Sequence, residues 1–275
     1  MLDLRQTSEY AKYAENIGWV VERKNGINYL IKKFPIIGSF IKIQRPDHLA
    51  LNKVRNFVKK YRAFQIVIEP NNQNQLSSLK DKGFKLIKYP YLPSKTVHID
   101  LTESEKELLE KMHYKTRYNI QKVISSELRV ESSENIQEFA DYWQECALRQ
   151  RGMYLSQKKE IIELYKAFDK NAHIVKVLKG NKLLSVVLLI KADKIAYYMY
   201  AASSNVGKKL FAPTLNAWEA IKLSKKLGYK VFDFEGISDE RFPLNSWKGF
   251  TRFKKSFGGR EIKYPGAYQK FLLPF

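Results

Sequence analysis

Hydrophobic and polar positions along the chain switch repeatedly between a helical and an extended period. Ser8–Ile17 carries the helical spacing, while Trp19–Val21, Tyr29–Ile31 and Phe40–Ile43 read as short strands with turns at Gly26 and Gly38. A helix over Asp47–Lys60 follows, then a buried strand, Phe64–Ile68, closed by Glu69-Pro70, then a helix over Gln75–Gly83 that stops at its glycine. The proline-rich run Tyr89–Pro93 is a stiff crossing segment and sets a domain boundary near residue 95. Beyond it the pattern predicts a strand at Thr96–Leu101. Thr102 and Glu105 have capping-box spacing, which predicts one helix through about Val123 with Leu108, Leu109, Met112 and Ile120 on its apolar face. Helices are predicted near Ile136–Arg149 and Ser156–Phe168. Three strands come next, Ile174–Leu178, Leu183–Lys191 and Ile195–Ala201, with connections short enough for antiparallel hairpins. The last clear helix has Pro213 in its first turn and Gly228 just past its end, and a strand at Lys230–Phe234 follows.

The fold class is therefore α/β (α+β). In its second half the order helix, helix, antiparallel meander, helix, strand matches in outline an acyl-transferring domain of GNAT type. No sequence repeat is visible, although two structurally related halves can lie below that threshold.

Composition narrows the chemistry. Forty-nine Lys and Arg stand against 28 acidic residues, a formal charge of +21 in 275 residues. Such self-repulsion is easier to sustain beside a polyanion, and nucleic acid or an anionic membrane face are the candidates. A lysine-rich solvated surface is the plain alternative. The excess reaches the C-terminal part: residues 206–275 hold 14 basic and 6 acidic side chains. A lone cysteine, Cys146, excludes an intramolecular disulfide, and four scattered histidines without an HExxH pattern give no zinc-enzyme signature, so no metal is expected. The longest apolar run, Leu183–Ile190, is too short to span a bilayer, and the first ten residues lack a signal-peptide core. The expectation is a soluble, cytoplasmic protein, touching at most the inner membrane face.

One segment carries more specific information. Gly249-Phe250-Thr251-Arg252-Phe253-Lys254-Lys255-Ser256-Phe257-Gly258-Gly259 closely resembles the C-terminal signature of the Fem family, enzymes that build peptidoglycan side chains from aminoacyl-tRNA. Four further matches fall in order: Ile68-Glu69-Pro70, the Lys115-Thr116-Arg117 helix, the tyrosine-rich Tyr198-Met199-Tyr200-Ala201, and Ala212-Pro213. The resemblance runs from Trp19 to Tyr268. It implies two GNAT-like domains in tandem, residues 1–95 and 96–264, with the tail 265–275 returning to the first. The family's coiled-coil insertion is missing.

The implied reaction is attack of a cell-wall precursor amine on an aminoacyl ester, with aminoacyl-tRNA as co-substrate, no other cofactor, and a monomeric enzyme. Lipid-linked and nucleotide-linked precursors are both open, as is a noncanonical acceptor such as another polymer's peptide. By the same resemblance Lys254 stabilises the oxyanion and Phe253 packs on the terminal nucleotide. Glu69 orients or deprotonates the amine, Tyr200 contacts substrate, and Lys115 and Arg117 meet phosphates, with Lys255 beside the site. For each, a structural role is the competing reading: surface lysines on a basic strand, core aromatics, a turn glutamate, a solvated helix face. Two family features are absent. Val67 replaces an arginine, and the segment Ser156–Ile161 lacks an Arg-Tyr pair, so acceptor-binding roles are not carried over. Two other readings stand beside this one. An acyl-CoA-dependent N-acyltransferase would need a pyrophosphate cradle, and Ser203–Lys209 offers a single glycine. A non-catalytic RNA-binding protein would use the same basic surface.

Overall fold

The structure, a computed structural model, describes residues 1–124, 126–151, 157–243 and 247–272. Its elements in chain order begin with α1 (Ser8–Asn16), β1 (Val20–Lys24), β2 (Ile27–Phe34), β3 (Gly38–Gln44), α2 (Leu51–Tyr61), β4 (Ala63–Glu69), α3 (Leu76–Asp81) and β5 (Lys85–Leu86). There follow β6 (Lys95–Asp100), α4 (Glu105–Lys111), α5 (Tyr114–Ile124), β7 (Leu128–Ser133), α6 (Ile136–Arg151), α7 (Lys158–Phe168), β8 (Ala172–Lys179), β9 (Lys182–Ala192) and β10 (Ile195–Ser203). The chain closes with α8 (Asn205–Lys209), α9 (Ala212–Lys226), β11 (Val231–Asp233), α10 (Lys248–Lys255), β12 (Arg260–Lys263) and β13 (Tyr268–Phe271). Two compact units result: Met1–Lys95 with Ser238–Asn245 and Ile262–Phe275, and Thr96–Ile237 with Ser246–Glu261.

The first unit is built on a six-stranded sheet of order β1-β2-β3-β4-β13-β5. The hairpin β2–β3 is antiparallel, and α2 then carries the chain to β4, which lies parallel to β3. Alternate residues Tyr29, Ile31, Ile41, Ile43, Ile66 and Ile68 form a buried face with Val54, Phe57 and Leu79 from the helices. Each large side chain so buried contributes about 1.5–3 kcal/mol. The return strand expected from the tail is present, paired between β4 and β5, and lies at Tyr268–Phe271. Residues 273–275 of that expected strand, and the expected helix start at Ser156, lie outside the described residues.

The second unit holds a seven-stranded sheet of order β12-β6-β11-β10-β9-β8-β7. The predicted meander is real: β8, β9 and β10 pair antiparallel in sequence. Helix α9 then returns the chain to β11, parallel to β10. Hairpin, crossover helix and parallel strand thus occur in both units, the structural kinship that the sequence hides. Val97, Ile99, Tyr198, Phe232 and Phe234 pack on Trp218 and Ile221 of α9 and on Leu108, Met112 and Ile120.

Two expectations need correction here. The helix after β6 starts at Ser104, not Thr102. Thr102 is committed to Asp100, donating from Oγ1 at 2.7 Å and from its backbone N–H at 3.0 Å. The capping box is formed two residues later, with Glu107 N–H donating to Ser104 Oγ at 3.2 Å and Ser104 N–H to Glu107 Oε2 at 2.7 Å. The helix also breaks at Met112, where the backbone becomes extended and His113 N–H donates to Ser256 O at 2.9 Å. The edge strand β7 is an addition; its short, weakly apolar alternation is half-exposed and legible only through its pairing with β8. Ser104→Ala should lower thermal stability by about 1 kcal/mol, whereas Thr102→Ala should not disturb α4; paired denaturant melts check both.

Candidate functional site

Helix α10 is strongly one-sided. Phe250, Phe253, Lys254 and Phe257 fall at helical spacing on one face, and Lys248, Arg252 and Lys255 are exposed on the other. Phe257 is buried against Phe234, their ring centroids 5.4 Å apart, and Phe253 packs edge-on against Phe257 at 5.2 Å. The helix ends in Gly258-Gly259, both at positive φ. A Cβ on Gly258 would stand 2.7 Å from Lys111 O, and one on Gly259 2.4 Å from His98 O. Only glycine allows so close a backbone approach in that conformation, so the pair locks α10 onto α4 and β6.

The same packing turns Lys254 inward. Its Nζ donates to Gly236 O at 2.7 Å and to Glu235 O at 3.3 Å, and sits 5.4 Å from the Phe250 ring centroid. Burial pulls its pKa down to about 8, with the charges of Glu235 and Asp233 pulling the other way. A lysine of this kind is cationic at neutral pH, yet within reach of deprotonation.

The two carbonyls are held out by a turn at the end of β11. Glu235 and Gly236 both have positive φ, 51° and 101°. Asp233 organises that turn. Its Oδ1 accepts from Thr96 Oγ1 at 2.5 Å and from Glu235 N–H at 2.8 Å; its Oδ2 faces His98 Nε2 at 3.1 Å. Gly236 N–H donates to Thr96 Oγ1 at 3.1 Å. Asp233 is buried to 1% exposure, and His98 Nδ1 is buried without a hydrogen-bond partner among the described residues. The proton of the imidazole therefore belongs on Nε2, facing the carboxylate. Cross-strand register explains the cluster, because Asp233 stands opposite His98 in the β6–β11 pair.

Asp233, Thr96 and His98 were not singled out from the sequence. A signal existed: an aspartate between two phenylalanines in a short strand before a glycine must be buried, and a buried carboxylate needs donors.

The other expected site residues are distributed as follows. Phe253, Lys254 and Lys255 share α10, which is a helix rather than the basic strand of the competing reading. Lys255 is exposed and ion-paired with Glu261. Tyr200 lies on β10, half-buried, with its ring edge-to-face against Trp143 at 5.7 Å. Lys115 is exposed on α5. Arg117 donates from NH1 to the carbonyls of Glu110 and Met112, the C-terminal carbonyls of α4. Its guanidinium closes the break between the two helices. Glu69 belongs to the first unit. It is buried, with Oε1 accepting from Leu92 N–H at 2.7 Å and Oε2 from Gln44 Nε2 at 2.9 Å. One carboxylate oxygen thus braces the crossing segment after β5 and the other ties β4 to the end of β3. The structure groups the three α10 residues, places Lys115 and Arg117 together on α5, and leaves Tyr200 on β10 and Glu69 on β4.

Among the described residues no group of three or more His, Cys, Asp and Glu is disposed to hold a metal ion, and no helix is long and apolar enough to cross a membrane. No curated protein matches the sequence. Among solved structures, the crystal structure of FemX is similar at TM-score 0.83 with 19% identity, over 98% of this chain and 92% of that one. L-PGS from Bacillus licheniformis is similar at TM-score 0.63 with 11% identity, over 94% and 86%. A tandem GNAT protein from the clavulanic acid biosynthesis pathway reaches TM-score 0.53 with 8% identity, over 89% and 82%. At these identities the likeness is one of fold, a mixed α/β architecture shared with tandem GNAT-like proteins. The sequence points the same way: residues 154–275, which include α9, the Asp233 turn and Lys254, match the model of the FemAB family.

Proposed function

We propose that this protein is an aminoacyltransferase that moves an amino acid from aminoacyl-tRNA onto an amine of a cell-wall precursor peptide. The observation that carries the reading is Lys254, half-buried, its ammonium held by two carbonyls inside the segment that matches the family model. The ester donor is already activated, so the enzyme must bring two substrates together, stabilise an oxyanion and take a proton from the amine. Two N–H bonds of Lys254 are spent on Glu235 O and Gly236 O, and its third is the donor that meets the developing oxyanion. In this reading Phe253 supplies an apolar contact on the same helix, and Tyr200 offers its hydroxyl to substrate from β10. Lys115, Lys255 and the other exposed cations of α5 and α10 attract the tRNA backbone. Glu69 acts through the loop it braces rather than as a base.

The acyl-CoA reading is disfavoured by the segment before α9, which forms the short helix α8. Gly207 is packed so tightly that a Cβ would lie 2.3 Å from Leu184 O, and its N–H is taken by Ser204 Oγ at 3.0 Å. That glycine serves packing and offers its amide to no phosphate.

The experiment is transfer of labelled amino acids from a mixed aminoacyl-tRNA pool to lipid-linked and nucleotide-linked precursor peptides, run beside a panel of acyl-CoA donors. Peptide labelling from tRNA is the expected result. Acylation from a coenzyme A thioester with none from tRNA would overturn the proposal, and tight RNA binding without turnover would make the protein a binding module.

A further inference from the structure

The β2–β3 hairpin ends in a tip that a water-facing loop does not explain. Phe34, Pro35, Ile36 and Ile37 are consecutive, and Ile36 is 96% and Ile37 65% exposed. Single exposed apolar side chains are ordinary, but a run of them at a loop apex is not. The backbone sharpens the point. Ile36 has φ 72°, and Ile37 N–H donates to Pro35 O at 2.8 Å, a three-residue γ-turn of the rare positive-φ form. A β-branched residue is among the least suited to that conformation, which glycine or asparagine adopts readily. The sequence thus keeps a large apolar group at the apex against both backbone strain and hydration.

The apolar surface continues from the tip. Phe34 lies 6.0 Å from Phe64, and Phe271, 65% exposed, pairs with Gln65 at the same end of the sheet. Around it stands a collar of cations. Lys33 is exposed on β2 over the Tyr61 ring, and Lys59, Lys60 and Arg62 are exposed at the end of α2. Lys60 is paired with Glu22 at 2.5 Å. Arg62 is fixed beside the tip, because Ser39 N–H donates to its carbonyl at 3.2 Å and a Cβ on Gly38 would come within 2.2 Å of that oxygen.

We infer that this tip is a membrane-docking element, with Ile36 and Ile37 entering the acyl boundary of an anionic bilayer while Lys33, Lys59 and Arg62 meet lipid phosphates. An apolar apex inside a basic collar matches the two layers of such an interface. Nucleic acid would satisfy the collar but leave both isoleucines in water. The inference is independent of the transfer reading, since docking needs no turnover.

Co-flotation with vesicles tests it. Wild-type protein should float with phosphatidylcholine vesicles containing phosphatidylglycerol, not with phosphatidylcholine alone, and less as salt is raised. The double substitution Ile36→Asp, Ile37→Asp should lower partitioning at least about tenfold with unchanged thermal stability, since it places two charges where apolar burial is needed. A separate Ile37→Trp variant should shift its emission to the blue on adding the anionic vesicles. Equal partitioning of wild type and the double variant, or no flotation of wild type, would overturn the inference. So would lipid-free self-association abolished by the double variant, which would give the tip to a second copy. Displacement by tRNA with unshifted Ile37→Trp emission would give the collar to nucleic acid and overturn it too.

Discussion

Replacing Lys254 with methionine should lower transfer by about two to three orders of magnitude while leaving tRNA binding nearly intact. Loss of one preorganised donor to an oxyanion costs about 3–4 kcal/mol of barrier. Methionine keeps the length of the buried stem that packs beside Phe250. A lysine acting as one phosphate contact among many would instead weaken binding modestly and reduce its salt dependence. The pH profile separates the cases further. Because burial brings the Lys254 pKa down to about 8, an ammonium-dependent reaction should lose rate as pH rises through about 8, well before ordinary lysines titrate.

Stability supplies an independent check with a fixed sign. The folded pKa lies below the unfolded one, so above pH 8 the native state sheds a proton that the unfolded chain keeps until about pH 10.5. Unfolded chains then bind more protons, and stability rises with pH across that window by up to about 3 kcal/mol. Lys254→Met should lack this rise. Denaturant titrations of both proteins between pH 7 and pH 10 measure it, and parallel curves would sink the claim that the ammonium is buried.

How far the sequence revealed this site depends on the kind of information. The meander β8–β10 and the helix α9 were legible because their apolar periods are long and their ends carry glycine and proline. The α4–α5 break was not, since Thr102 and Ser104 both offer capping-box spacing and only the Asp100 contacts decide between them. Lys254 was found by resemblance to a family signature, and its burial is a tertiary fact: α10 turns it inward through the phenylalanines at 250, 253 and 257. The Asp233 cluster stayed hidden because its members come from β6 and β11, far apart in sequence and joined only by strand register. The Ile36 tip lies just before the turn that Gly38 marks and stays hidden, because periodicity says where a strand ends and nothing about exposure at its apex.

The second large effect is expected at Asp233. Asp233→Ala removes the acceptor for Thr96 Oγ1, His98 Nε2 and Glu235 N–H in a buried site. Each buried donor left unsatisfied costs about 1–3 kcal/mol, so a loss of about 3 kcal/mol or more is expected, seen as a lowered denaturation midpoint. That alone would fit a purely structural residue. Asp233→Asn is the more informative change. It keeps the shape and one acceptor oxygen, but it removes a negative charge that holds the Lys254 pKa up. The pKa of Lys254 should then fall further, and the alkaline limb of the transfer rate should move below pH 8. His98 must also give up its Nε2 proton to accept from the asparagine amide, which moves that proton to the buried, unpartnered Nδ1. A limb displaced toward acid in Asp233→Asn, beside an undisplaced one in a surface control such as Glu240→Gln, would make Asp233 the residue that positions Lys254 and tunes it. Lower stability with an unmoved limb would leave Asp233 as a strut for the turn and nothing more.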